Sequence, residues 1–332
     1  MQKNEQRLYS PESLKNKMEK EVILRAEGIR KEFQDCVVLD NVSLSIQKGE
    51  IFGIIGISGC GKTTLLHTFV GFNAPEQGEV FITHNGKEIS ISKNMILARR
   101  GIGFAPQHPS FYPRLTVEEN LEHFGILYGL AENELDEQLH ELLKVTKLEQ
   151  AVDIRADHLS YGMQKRLGIA CALIHKPSIL LMDEPTADLD PLMRREIWKL
   201  VRRINDTGTT IVIASHLLGE VESMCTRIGM LHNKKFAYIG TFENMKQNYC
   251  PRQEITLKTE SRLYDALIQR LGSNKELVVT ATNEHLQVMT THPEKTVDAV
   301  MRHVKEMDDK IEYLHVSPPS LEELFTLIEE EK

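Results

Sequence analysis

Apolar and polar positions alternate over Val42-Ser-Leu-Ser-Ile46, and with Val37-Val-Leu39 just before it this region predicts a short strand, as Val22-Ile-Leu-Arg-Ala26 does earlier. The apolar run Ile51-Phe-Gly-Ile-Ile55 is a further strand, followed by a helix over Thr64 to Phe69. Gly71 and Pro75 lead out of that helix into a strand over Gly78 to Thr83, and Asn85-Gly86 is a tight-turn signal beyond it. From Thr116 to Leu148 the apolar period becomes helical in two stretches. Leu121, Phe124, Leu127 and Leu130 mark the first, Leu135, Leu139, Leu142 and Leu143 the second, with a break between Gly129 and Asn133. A helix is predicted from Tyr161 to Leu173. The runs at 179–182 and 211–214 are almost wholly apolar and flank a helix around Leu192 to Ile204, the pattern of a buried parallel sheet. Ile228 to Leu231 and Phe236 to Ile239 are closing strands, with a helical tail near Gln247.

Beyond Gln253 the pattern changes. Strands at 254–258, 277–281, 285–289 and 311–316 alternate with helical stripes on Leu263, Leu267 and Leu271 and on Val297, Val300, Met301 and Val304. This β-α-β-β-α-β order is ferredoxin-like. Pro318-Pro319 precedes a predicted last helix from Ser320 to Glu329, with Ser320 as N-cap and Glu323 three residues on. A chain of 332 residues divides more readily into two domains than it remains one. The division expected is a polar extension over 1–21, a nucleotide-binding domain over 22–247 with a helical subdomain at about 108–175, and a regulatory or dimerising domain over 254–332.

A net charge of −8 gives no reason to expect nucleic acid or an anionic surface as partner. No apolar run is long enough to cross a bilayer, and Met1 to Lys20 is too charged for a signal peptide. The five cysteines are widely spaced and odd in number, which predicts reduced thiols; the histidines show no metal-ligand spacing.

The candidate chemistry sits where the strand at 51–55 meets its helix. Gly56-Ile-Ser58-Gly59-Cys60-Gly61-Lys62-Thr63, followed by Thr64, carries every fixed position of G-x-x-x-x-G-K-T. Glycines at 56, 59 and 61 let the backbone turn its N–H groups toward phosphates, Lys62 reaches the β- and γ-phosphates, and Thr63 can hold Mg²⁺. The positive end of the helix adds to the same anion site. A kinase, a GTPase or a helicase could carry such a loop. Asp183 closes the apolar run Ile179-Leu-Leu-Met182, in position to organise Mg²⁺, and Glu184 beside it can orient or deprotonate an attacking water.

Four further segments give the chain a resemblance to the ATP-binding subunits of ATP-binding cassette (ABC) transporters over about residues 22–245. Leu159-Ser-Tyr-Gly-Met163 stands at the signature segment, Gln107 in Phe104-Ala-Pro-Gln107 at the Q-loop, His216 in Ile213-Ala-Ser-His216 at the switch histidine, and Ala187-Asp-Leu-Asp190 at the D-loop. The fold implied is an α/β P-loop ATPase of ABC type, here with the small α+β ferredoxin-like domain added. The resemblance implies head-to-tail pairing of two such domains, as a homodimer or a heterodimer. Each ATP then lies between one P-loop and the other subunit's Ser160 and Gly162, with Asp190 at the boundary. It further implies Phe33 against adenine, Gln107 as a link between Mg²⁺, water and the helical subdomain, and His216 on the γ-phosphate. The sequence departs from the family's Leu-Ser-Gly-Gly-Gln at Tyr161 and Met163, and Asp188 replaces a small D-loop residue.

Thr116-Val-Glu-Glu-Asn-Leu121 with Gly125-Ile-Leu-Tyr-Gly129, and Pro319-Ser-Leu-Glu-Glu-Leu-Phe325, resemble segments of ABC-2-type export ATPases. That resemblance implies ATP-driven export through a separate integral membrane permease, with the chain on the cytoplasmic face of the membrane. An importer ATPase and a soluble ABC ATPase without a permease are the alternatives.

Overall fold

Strand β1 (Val22–Phe33) runs well past the expected end at Ala26, because Gly28 lies at φ +57° and shifts its pairing instead of ending it. Its second half is polar for a reason. Arg30 pairs with Glu32 and Asp40, and Lys31 bonds to Glu76 at 2.6 Å, so ion pairs coat that stretch of strand and blur the apolar alternation. In this computed structural model residues 21–84, 86–108, 110–249, 253–271, 277–282 and 284–317 are described. The polar extension before Glu21, Asn85 of the expected turn, and the helix expected from Ser320 lie outside them.

The chain divides into two units: Met1–Leu217 with Ser223–Ile239, and Leu218–Glu222 with Gly240–Lys332. In the first, β1, β2 (Cys36–Gln47), β3 (Ile51–Ile55), α1 (Lys62–Phe69), β4 (Gln77–His84) and β5 (Lys87–Ser90) come first. They are followed by α2 (Met95–Arg100), β6 (Ile102–Ala105), α3 (Val117–Tyr128), α4 (Glu132–Thr146) and α5 (Tyr161–Leu173). Then come β7 (Ile179–Asp183), α6 (Pro191–Asp206), β8 (Thr210–Ser215), β9 (Arg227–His232) and β10 (Lys235–Gly240), while α7 (Leu218–Met224), between β8 and β9 in sequence, has residues in both units. Antiparallel β2-β1-β4-β5 form one sheet; β10-β9-β3-β8-β7-β6 form the other, parallel from β9 to β6. Leu24, Leu39 and Ile46 of the first sheet, Phe52, Ile54 and Val212 of the second, and Leu65, Leu66 and Phe69 of α1 belong to one buried cluster. That cluster fixes α1, and with it the start of the phosphate loop, between the layers.

The short helices α2 and α7 and the strand β6 escaped the sequence reading. Helix α2 is only six residues long, with Asn94 as its cap. Strand β6 contains Gly103, whose missing side chain leaves room for the carbonyl of Ala172 on α5. Strand β6 ends two residues before Gln107.

The helical subdomain combines buried apolar stripes with helix capping and a buried amide. Thr116 and Glu119 cap α3 reciprocally, with bonds of 3.1 and 2.8 Å, and Gly129 ends the helix at φ +80°. Buried Asn120 accepts from the Tyr112 amide at 2.7 Å and donates to the carbonyls of Tyr112, Leu115 and Thr116. A wholly buried amide is tolerated because those partners satisfy it.

The second unit holds α8 (Phe242–Tyr249), β11 (Gln253–Thr259), α9 (Tyr264–Leu271), β12 (Val278–Ala281), β13 (Leu286–Thr290), α10 (Pro293–Glu306) and β14 (Ile311–Ser317). Its antiparallel sheet runs β12-β13-β11-β14, the ferredoxin-like order. Ile255, Leu257, Leu286 and Val288 form a core with Tyr264, Leu267 and Leu271 of α9 and Val300 and Val304 of α10. Cys36, Cys60, Cys171 and Cys225 are free thiols, as expected, and burial pushes Cys171 up to about 12, far from reactivity.

Candidate nucleotide site at the C-terminal edge of the parallel sheet

Parallel pairing brings the ends of β3, β7 and β8 level, with Ile55 opposite Ser215 and Asp183 opposite Ala214. The residues just past those ends therefore meet at one edge, where an α/β sheet presents its ligand crevice. They are the phosphate loop, the Asp183-Glu184 pair and Ser215-His216.

The loop turns on Gly59 at φ +80° and Gly61 at φ +109°, and Gly61 is also the N-cap of α1. A Cβ on Gly56 would lie 2.6 Å from the carbonyl of Leu231, so the loop's first position is closed to larger residues. The buried ammonium of Lys62 donates to the carbonyls of Gly56 at 2.8 Å and Ile57 at 3.2 Å, and lies 3.7 Å from Glu184 Oε1. It is thereby held inside the loop that Gly56, Ser58, Gly59 and Cys60 outline. Burial pushes the Cys60 thiol up, against the pull of Lys62, so this cysteine stays a thiol. Thr64 follows on the first turn of α1.

Thr63 Oγ1 donates to Asp183 Oδ2 at 2.7 Å. The other oxygen, Asp183 Oδ1, is buried without a hydrogen-bond partner. Burial raises the Asp183 pKa, opposed by Thr63, His67 and Lys62. A buried carboxylate oxygen with nothing to accept, beside a threonine hydroxyl, fits a hard divalent cation that takes oxygen ligands and leaves further positions to phosphates. Thr63 and Asp183 are the residues that would hold Mg²⁺. Gln107 lies two residues beyond β6, whose Ala105 pairs with Met182, so it too stands at this edge beside Asp183.

Glu184 sits at φ +44°, its amide bonded to the Ala214 carbonyl at 2.9 Å. That turn aims its carboxylate along β8 and not away from it. Oε1 lies 2.8 Å from His216 Nδ1, and Oε2 accepts from the Ser215 hydroxyl and the His216 amide, each at 3.4 Å. A nearly buried carboxylate, gripped by three groups of one strand end and facing an ammonium, is oriented as a general base must be. Ser215 was not among the expected residues; its only sequence signal is its place before His216 at a strand end.

Phe33 ends β1 with 45% of its surface exposed and the Lys31 ammonium 5.1 Å from its ring centre, so it is not part of the core. Ser160 caps α5 by accepting from the Met163 amide, and Gly162 has Met193 packed so near that a Cβ would lie 3.1 Å from its sulfur. Among the described residues no hydrogen bond or ion pair joins Ser160 or Gly162 to the Lys62–Asp183–Glu184 cluster. Asp190 spends one carboxylate oxygen on capping α6, accepting from the amides of Leu192 and Met193 at 2.9 and 3.0 Å.

The sequence model described as "ABC transporter" matches residues 39–187. The linearmycin resistance ATP-binding protein LnrL of Bacillus subtilis is 31% identical over 91% of this chain and 97% of its own length. The Nod factor export ATP-binding protein I of Rhizobium sp. strain N33 is 36% identical over 65% of this chain and 70% of its own. Among solved structures, a post-hydrolysis dimer of the ATP-binding cassette MJ0796, bound to ADP and Pi, superposes with a TM-score of 0.58 at 28% identity, covering 66% of this chain and 98% of that one.

Proposed function

Since this chain belongs to the ABC transporter family, as an ATP-hydrolysing nucleotide-binding subunit that works through a separate permease, we propose that it drives export. The observation that carries the chemistry is the convergence of Lys62, Asp183, Glu184 and His216 at one sheet edge. Lys62 and the loop amides bind the β- and γ-phosphates, and Glu184 takes a proton from the attacking water. His216 shares the proton-accepting carboxylate and contacts the γ-phosphate; Gln107 positions the water; Phe33 stacks on the adenine. Thr63 and Asp183 would hold Mg²⁺, which would supply neutralisation of phosphate charge there. Two copies close on ATP, Ser160 and Gly162 of each completing the other's site across a boundary that includes Asp190, and hydrolysis reopens them.

Export is favoured by kinship with the resistance and Nod factor export proteins, the former along nearly its whole length. A membrane partner is favoured by Phe72, Ile96, Ile126 and Leu127, all exposed. Arg99, one turn from Ile96, lies 5.2 Å over the Phe72 ring, which brings the exposed Phe72 next to α2. These exposed side chains support a position at the cytoplasmic face of the membrane, and export of an ABC-2 type is the finer reading. When the chain is produced at native level, it should sediment with membranes. The double variant Ile126→Asp, Leu127→Asp should move to the soluble fraction while keeping its basal turnover. Wild-type chain that remains soluble, or a permease that carries its substrate inward, would contradict the reading.

The second unit regulates or pairs the ATPase, a role supported by its separate core and its lack of nucleotide motifs. A chain ending at Gln247 that still melts cooperatively is expected to bind ATP but to dimerise less or lose control of turnover. Unchanged assembly, turnover and transport would remove that role.

A further inference from the structure

Lys165 is a second buried lysine beside this site, and nothing in the hydrolysis chemistry uses it. It lies on α5 one turn after Tyr161 of the signature segment and is 4% exposed. Its ammonium donates to the backbone carbonyl of Gln107 and sits 5.5 Å from the centre of the Tyr161 ring, within reach of a cation–π contact. Burial pushes its pKa down, while the carboxylates of Asp188, Asp183 and Glu184 hold it up. A desolvated ammonium is retained only where acceptors and field compensate it, and here the compensating groups come from several functional segments: Gln107, Tyr161, Asp188 and the Asp183-Glu184 pair. Tyr161 and Asp188, two of the three residues at which this chain departs from its family pattern, both act on it. Burial and then the charge of Asp188 raise the Tyr161 hydroxyl in turn, so the two departures and Lys165 form one cluster.

We propose that Lys165 is a positioning residue that fastens the Gln107 backbone to α5, with Tyr161 steadying the ammonium, so that the Q-loop and the signature helix move as one piece. The chain just downstream is tied in the same manner. Asn120 of α3 grips Tyr112, Leu115 and Thr116, so the segment from 107 to 116 is anchored to α5 at its start and to α3 at its end. A shift of the signature helix on meeting ATP then carries Gln107 with it, and this sets where the water and metal contacts of that side chain fall. The inference rests on the catalytic assignment of Gln107 made above.

The test is a double-mutant cycle on kcat, with ATP affinity and melting followed in parallel. Lys165→Met keeps the stem and removes the donor; it should lower kcat by roughly 10-fold, a modest share of what a misplaced reactant costs, with ATP affinity within about twofold of wild type. Lys165→Arg, which keeps a donor, should recover part of that loss. In a Gln107→Ala background Lys165→Met should cause no further loss, because its effect passes through Gln107. Tyr161→Gly, at an exposed position that keeps the core intact, should cost about 2- to 5-fold and lose its effect in the same background. Losses that multiply across the two backgrounds, or an unchanged kcat in Lys165→Met, would overturn the proposal while leaving Gln107 in its role. An unchanged kcat in Gln107→Ala alone would remove that role and the proposal with it.

Discussion

Glu184→Gln is expected to lower ATP turnover by about 10²- to 10⁴-fold, the usual contribution of a positioned general base, while ATP still binds. The amide has nearly the shape of the carboxylate. Its oxygen can still accept from His216 Nδ1, now 2.8 Å away, and the Ser215 contacts are weak enough, at 3.4 Å, to adapt. What is lost is the capacity to take a proton. What is also lost is a negative charge 3.7 Å from the Lys62 ammonium, and that leaves Lys62 more available to phosphates. Phosphate release and equilibrium ATP binding, measured on the same preparation, separate these effects. Turnover within a few-fold of wild type would remove Glu184 from the base role.

Asp183→Asn should have opposite effects on activity and on the metal-free fold. Activity should fall by about 10²-fold or more, since a metal contributes several kcal/mol of charge stabilisation and an amide is a poor ligand for a hard cation. The metal-free chain, however, should melt no lower than wild type. Burial raises the Asp183 pKa, so its ionised form opposes folding at every pH above the unfolded value, and that opposition is complete above the raised folded pKa. Asn carries no charge to desolvate and can still accept from Thr63. Thermal scans with EDTA and with Mg²⁺-ATP provide the check: ligand should raise the wild-type midpoint more than that of the variant. A variant equal to wild type in Mg²⁺-dependent turnover would exclude Asp183 as a metal ligand. The tension between a stable edge and an active one is expected where a buried polar atom is kept without a protein partner.

The parallel sheet was legible because β7 and β8 are apolar at nearly every position, and the loop because few sequences place glycine, lysine and threonine at those intervals after a strand. The polar half of β1 was not legible, since alternation disappears when ion pairs cover the outward side chains. Strand β6 was missed for another reason. Gly103 owes its identity to the backbone of α5, a contact distant in sequence. The site divides in the same way. Asp183 and Glu184 follow from their place at the end of an apolar run. The aim of Glu184, by contrast, depends on a positive φ that a glutamate rarely adopts, and on an amide bond to β8. Lys165 has no sequence signature. Its importance comes entirely from meeting a backbone carbonyl 58 residues away.

The central claim is that two copies of this chain enclose ATP between the phosphate loop of one and the signature segment of the other. The most direct test is sedimentation velocity of Glu184→Gln with and without Mg²⁺-ATP, with bound nucleotide counted in each species. The clamp predicts a shift from monomer to a dimer that carries two ATP and disappears when Ser160→Arg is introduced into the same chain. A chain that saturates with ATP yet sediments as a monomer at every concentration would contradict it.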